Sequence, residues 1–411
     1  MNIEHSKLPP KFDLFELARD GDPYLAYAKL RDAGALLRAG PGVWVIPRYQ
    51  EVAALLRDPR LGPFRFQEAP GLFEHAALPS SPETGVANSF LDGIMVVANS
   101  PDHARLRQSV GQPFLHRLNR ELRGRISVLA DNLLERAGER GMMEVISELA
   151  YPLPLLVLSD IFGIPQTHRE RIGREVLKLS KLFSPVVAVE DKSAADEAIV
   201  SLRQLMGLLF EQRLKSPSQD FISDMAAAAQ SRRLSREEAI DNTIFLIFAG
   251  LETSISLLAA GCAALARYPE QMSKLRENPA CVSTAVEEFL RYDAPTQITA
   301  RTVRAPLEVA GRMLSKGRVL LLLLGSANHD ERQFRDPARL DVERTPNPHL
   351  AFGAGAHYCL GAGLARLESE VVFNRLARKF SVFESVGDVV REACVTPRVY
   401  SSVVVRVKAG S

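Results

Sequence analysis

Between Thr243 and Ala266 the chain carries one charged residue, Glu252, in a run that is otherwise apolar or small. A stretch of that length would suit a bilayer, which needs about 20 apolar residues. Gly250, Glu252, Thr253 and Ser254 sit at its mid-depth, however, and no second such run accompanies it. A helix that is apolar all round and not bathed in lipid has to be wrapped by other elements on every side. The stretch therefore reads as the central core helix of a large, mainly α fold, with no membrane association.

The rest of the composition agrees with a large core. Of 411 residues, 46% are hydrophobic and 24% charged, so the chain is neither disordered nor fibrous. A net charge of +2 argues against nucleic acid as a partner. The four cysteines, Cys262, Cys281, Cys359 and Cys394, are too few and too scattered for a disulfide framework or a zinc site. A reducing, cytoplasmic setting fits them. Met1 to Asp20 mixes acidic and basic residues without the apolar run of a secretory signal.

Along the chain, Asp22-Pro23 caps a helix extending to Asp32, and Gly40-Pro-Gly42 joins two short strands as a hairpin. Tyr49 to Arg57 is again helical. From Pro59 to Asp92 periodicity fails, although Phe64, Phe66, Leu72, Phe73 and Phe90 are interleaved there; long irregular segments of this kind are usually functional. Ser100 is expected to cap the next helix with Pro101 at its first position. His103 and Arg107, four apart, share one face of it. Arg105, His116, Arg117, Arg120, Arg123 and Arg125 make a basic surface against one acid, Glu121, which suits an acidic protein partner. Residues 126 to 240 read as amphipathic helices broken at Pro152, Pro154, Pro165 and Pro185. Val319 to Leu324 reads as a buried strand, and Thr396 to Val407 alternates like an antiparallel hairpin.

A second feature narrows the chemistry. Phe352-Gly-x-Gly-x-His-x-Cys359-x-Gly361 sets one cysteine between a glycine-rich turn and a helix beginning near Gly361. Gly353 and Gly355 let the backbone turn tightly against a flat ligand. N–H groups at the helix start favour Cys359 as a thiolate. A thiolate so placed is an axial ligand for haem iron, where its electron donation favours O–O cleavage. A lone cysteine is more often a small buried hydrophobe. The full string is far more specific, and it resembles the haem-binding signature of the cytochrome P450 monooxygenases.

Two further stretches carry the same resemblance in the expected order. Ala249-Gly250-Leu-Glu252-Thr253 resembles the family's oxygen-activating helix pattern, and Glu288-Phe-Leu-Arg291 its Glu-x-x-Arg. The resemblance runs from about Phe12 to Val407, and implies one P450 domain over 1–411 after a flexible lead of residues 1–11. The implied fold is mainly α with small antiparallel β-sheets, with haem b between the central helix and the Cys359 loop. Cys359 would be the metal ligand, with Phe352, Gly353, Gly361, Ala249 and Gly250 around the haem. His103, Arg107, Arg301 and His357 would hold the propionates. Glu252 and Thr253 would manage protons, Gly250 would leave room for O2, and Glu288, Arg291 and Arg344 would lock the haem-side core. Phe90, Phe245, Phe248, Ala249, Gln297, Ile298, Val399 and Tyr400 would border an apolar substrate, alongside Phe64, Phe66 and Phe73. Val97-Ala-Asn-Ser100 departs from the family's usual lead-in to the basic helix, so the start of that helix is expected to shift.

The implied reaction inserts one oxygen atom from O2 into an apolar small molecule of polyketide, macrolide or terpenoid type, by hydroxylation or epoxidation. No flavin or nicotinamide domain fits in this length. NAD(P)H would therefore act through a separate ferredoxin and its reductase, the ferredoxin docking on the basic face of a cytoplasmic monomer. Two alternatives remain open: a peroxide-driven haem-thiolate peroxygenase, and a non-catalytic haem sensor. Turnover with peroxide alone would favour the first, and NAD(P)H consumption with ferredoxin and substrate would exclude the second.

Overall fold

The computed structural model of the chain describes residues 22–64, 85–183, 189–392 and 396–410. Phe66, Leu72, Phe73, Pro185, Cys394 and the lead of residues 1–11 lie outside these ranges.

The core helix spans Arg236–Arg267. It starts in a capping box, with the Glu238 N–H donating to Ser235 Oγ at 3.0 Å and the Ser235 N–H donating to Glu238 Oε2 at 2.8 Å. By length and composition it passes for a membrane span, but its apolar window is mostly buried inside the protein. Helices Pro152–Phe162, Gln166–Leu177, Val189–Lys215, Phe221–Gln230, Val282–Tyr292 and Ala362–Lys379 pack around it. Each fully buried Leu, Ile or Phe of this helix contributes about 1.5–3 kcal/mol of apolar burial. Close crossing depends on Gly261, where a Cβ would lie 2.2 Å from Phe373 Cζ of helix Ala362–Lys379.

The largest sheet runs in the order Leu37–Gly40, Val43–Ile46, Val319–Leu323, Ile298–Val303, Leu61–Pro63. All five residues of Val319–Leu323 are buried, as a continuous apolar run requires. This strand pairs antiparallel with Ile298–Val303 but parallel with Val43–Ile46, so one pairing departs from the antiparallel expectation. Three smaller sheets, all antiparallel, complete the β structure among the described residues.

Four local expectations are corrected. The stretch expected to be irregular contains helix Gly85–Gly93, which buries Ala87 and Phe90. It is held from outside, by the Ala87 N–H donating to Asp196 and by Asn242 Nδ2 donating to Gly93 O. The basic helix spans Asp102–Arg117 with Pro101 as its uncapped lead residue, so Ser100 is not the cap. Pro152 does mark a break, between the π-helical turn Ile146–Ala150 and helix Pro152–Phe162, but Pro154 lies in the first turn of that helix and breaks nothing, because the N–H groups of a first turn lack intrahelical partners anyway. The C-terminal alternation is not a hairpin. Tyr400–Ser402 pairs with Val390–Arg391, and Val404–Ala409 joins Met142–Glu144 and Phe380–Ser385. The strands part at Val403, whose N–H is taken by Glu144 Oε1 and whose carbonyl accepts from the Val145 N–H.

Candidate active site

The cysteine loop is built by backbone geometry. Gly353 and Gly355 both take left-handed conformations, φ 68° and 71°. At Gly355 a Cβ would also come within 2.6 Å of Leu56 O, so glycine is needed there for conformation and for space. The Cys359 N–H donates to Phe352 O at 3.0 Å, closing the loop before helix Ala362–Lys379 begins. Cys359 keeps free surface, yet the surrounding protein desolvates its thiol. Burial pushes that thiol above its ordinary value, while the Gly361 and Ala362 N–H groups and the charges of Arg107 and Arg366 pull it back. The helix start by itself therefore does not hold the thiolate as the sequence implied. A coordinated metal would, because a coordinating thiol is deprotonated outright.

Beside the loop lie two histidines and two arginines. The His103 and His357 rings lie 4.0 Å apart between centroids, tilted by 35°. Burial and then the Arg107 charge lower His103 from its ordinary value. Burial, with the charges of His103, Arg301 and Arg107, takes His357 down to about 3. Burial also lowers Arg301, to about 10; its Nη1 reaches only the Thr299 hydroxyl and the Ala300 carbonyl. Arg107 donates to Tyr358 O at 2.6 Å. None of these four forms a salt bridge with a carboxylate among the described residues. A desolvated guanidinium without an acid, as at Arg301, is the arrangement that a ligand's own carboxylate would complete. Neutral imidazoles nearby can donate further hydrogen bonds. The residues present thus fit a haem, with Cys359 toward iron and Arg107, Arg301, His103 and His357 toward its propionates. Among the described residues no cluster of His, Cys, Asp and Glu could hold a bare metal ion.

The core helix carries further expected site residues along one wall. In a helix buried almost throughout, Ala249, Gly250 and Thr253 are only partly buried, while Phe245, Phe248 and Glu252 are buried. Phe183 stacks on Phe248 at 5.1 Å, giving this wall an apolar lining. Thr253 Oγ1 donates to Ala249 O at 2.7 Å. Its proton is thereby committed within the helix, which leaves its lone pairs as acceptors. At Gly250 a Cβ would meet Leu158 Cδ2 at 3.1 Å, so glycine there also eases the approach of helix Pro152–Phe162.

Glu288 and Arg291 are fully buried and bidentate, with both contacts at 2.8 Å. Arg344 Nε adds two contacts at 3.1 Å, and Asn347 and the Asp341 N–H also donate to Glu288. Every lone pair of this buried carboxylate is engaged, the condition under which such a pair is tolerated.

The expected substrate wall divides. Phe90 and Ile298 are buried and Val399 is half-buried. Gln297 and Tyr400 are used elsewhere, which corrects the expectation. Gln297 Nε2 donates to Ala294 O and the Tyr24 hydroxyl, and the Tyr400 hydroxyl donates to Asp293. Sequence reasoning missed this Asp293 hub, which also takes Tyr24 and Arg398 at 2.7 and 3.0 Å. Its partners come from opposite ends of the chain, so no local pattern marks it. The basic surface is thinner than its sequence. Arg105 pairs with Glu238, Arg117 with Asp224 and Arg123 with Glu370, while Arg120 and Arg125 remain exposed.

Comparison with known proteins agrees with this geometry. The family model described as Cytochrome P450 matches residues 140–395. The chain is 34% identical over 365 residues to the biotin biosynthesis cytochrome P450 of Bacillus subtilis, covering 87% of this chain and 89% of that relative. It is 32% identical over 368 residues to the 6-deoxyerythronolide B hydroxylase of Saccharopolyspora erythraea, covering 87% and 89% respectively. The crystal structure of P450BioI with an acyl carrier protein ligated to hexadec-9Z-enoic acid superposes with a TM-score of 0.87 at 31% identity, over 96% of this chain and 100% of that one. With the cysteine loop, the helical architecture and these likenesses together, the chain belongs to the cytochrome P450 family, oxidoreductases that use haem iron and O2.

Proposed function

We propose that this P450 inserts one oxygen atom from O2 into a C–H bond or alkene of an apolar natural-product scaffold, of polyketide, macrolide or terpenoid type. The single observation that carries the reading is the partly open stretch Ala249, Gly250 and Thr253, set beside buried Phe245 and Phe248 in the middle of a mostly buried helix. An apolar wall with one polar notch is how small-molecule sites orient greasy ligands. The 6-deoxyerythronolide B hydroxylase and the complex with a hexadec-9Z-enoic acid ligated acyl carrier protein among the relatives support an apolar substrate.

Haem b bound by Cys359 supplies oxygen activation, helped by electron donation from the thiolate. Arg107, Arg301, His103 and His357 hold its propionates. Thr253, its own proton bonded to Ala249 O, accepts a hydrogen bond in the pocket, so the protons arrive through Glu252. Phe90, Ile298 and Val399 border the substrate. Electrons come from NAD(P)H through a ferredoxin and its reductase. The ferredoxin docks on the surface that carries Arg120, Arg123 and Arg125, where Arg123 already pairs with Glu370 of helix Ala362–Lys379. The enzyme acts as a cytoplasmic monomer.

The test is a reconstituted assay with ferredoxin, reductase and a panel of macrolactones and long-chain acyl compounds, preselected by spectral binding. Thr253→Ala is expected to bind haem and consume NAD(P)H while losing most product. Equal yield of product per NAD(P)H in both proteins would contradict the assignment of Thr253. Full turnover with peroxide and no NAD(P)H consumption would contradict the ferredoxin route.

A further inference from the structure

Helix Ala362–Lys379 carries Arg366 one turn after the N–H groups that face Cys359. Helical side chains lean toward the N-terminus, so this one reaches back over the loop. Its Nε and Nη2 grip both oxygens of Glu287, at 2.6 and 2.9 Å. Nη1 reaches the Tyr358 hydroxyl at 3.2 Å, and the guanidinium carbon lies 4.5 Å from the centroid of the Phe352 ring. The carbonyl of Phe352 in turn holds the Cys359 N–H. Glu287 belongs to helix Val282–Tyr292 and also receives His349 Nε2 at 3.0 Å. Because His349 Nδ1 accepts from the Ala351 N–H, Nε2 carries the proton, and a neutral ring suffices.

This arrangement exceeds what packing needs. One guanidinium ties the aromatic residue of the loop, the residue before the ligand and a second helix into one unit. Burial would raise the Glu287 carboxyl, but hydrogen bonds from Arg366 and His349 hold it at about 2, so the pair stays charged. The positive member lies near enough to favour the Cys359 thiolate.

We propose that Arg366 is a positioning residue for Cys359: clamped by Glu287 and laid on the face of Phe352, its charge sets how strongly the sulfur donates to haem iron. The proposal rests on haem ligation by Cys359. A cation beside a thiolate withdraws electron density and favours the reduced metal, and its carboxylate partner partly offsets that effect. Removing each partner should therefore move the reduction potential in opposite directions. Mere loosening of the loop would move both the same way.

The experiment is spectroelectrochemical titration of the ferric/ferrous couple in the holoenzyme and in R366Q, R366K and E287Q. R366Q is expected at a more negative potential, with the reduced-to-oxidised ratio lowered about tenfold, or about 59 mV for one electron. R366K should lie between it and the parent, and E287Q should shift to a more positive potential. If R366Q fails to retain haem, the signs for R366K and E287Q decide. Unmoved potentials, or shifts of one sign in all variants, would overturn the proposal. A parent protein lacking the thiolate-type carbon monoxide band would instead overturn ligation by Cys359.

Discussion

Glu368 is a carboxyl shut away from water, and neither of its oxygens makes a hydrogen bond of normal geometry. Burial pushes it from 4.5 up to about 8, against a weaker pull from Ser254 on the core helix. Below the lower value it is protonated in both the folded and the unfolded chain. As the pH rises toward 8, the unfolded chain releases this proton while the folded one keeps it. Stability then falls by about 1.4 kcal/mol per pH unit, and levels off above 8. Glu368→Gln should flatten this slope, as read from urea midpoints between pH 5 and pH 8. Parallel profiles for the two proteins would contradict the assignment. At this scale the sequence was legible where a residue sits in a dense local string: Cys359, His357 and Gly353 could be named from their neighbours. Glu368 could not, because burial is a property of what packs around a side chain.

The core helix was legible as an element because one charge in so long an apolar run leaves few alternatives. Helix Gly85–Gly93 was not, since its order comes from Asp196 and Asn242 on distant elements rather than from its own short pattern. The C-terminal strands misled for a related reason: alternation fixes which side chains face inward but does not choose the partner strand. Crossing of the core helix over helix Ala362–Lys379 makes the sharpest demand. Gly261→Ala would gain up to about 1 kcal/mol in helix propensity, yet its Cβ would overlap Phe373 and crowd Phe289 Cδ2 at 3.1 Å. Overpacking of this kind costs about 1–3 kcal/mol, and sometimes more. A lowered melting temperature with partial haem loss is expected. Gly261→Ala at parental stability would mean that the two helices cross more loosely than described.

Across the whole molecule, Asp293 joins Tyr24 near the start of the described chain to Arg398 and Tyr400 near its end. Burial alone would raise its carboxyl, but the charges of Arg398 and Arg391 and the hydroxyls of Tyr400 and Tyr24 bring it below the ordinary value. A group lowered in the folded state stabilises above its unfolded value, and that contribution is lost as pH falls through the folded one. Asp293→Ala leaves the Arg398 charge buried without a counter-ion, a change worth about 3–5 kcal/mol. Its urea midpoint should drop accordingly at pH 7 and differ less from the parent in acid. An unchanged midpoint would remove the hub from the fold's support. On the proposed reading the molecule is nonetheless built around one sulfur: Arg107 at Tyr358, and Arg366 at Tyr358 and Glu287, both hold the loop that carries Cys359. The carbon monoxide difference spectrum of the reduced, haem-loaded protein tests this directly. The parent should show the red-shifted thiolate band and Cys359→Ala should lack it. A parent without that band, or a variant that keeps it, would contradict the assignment of Cys359 as the ligand.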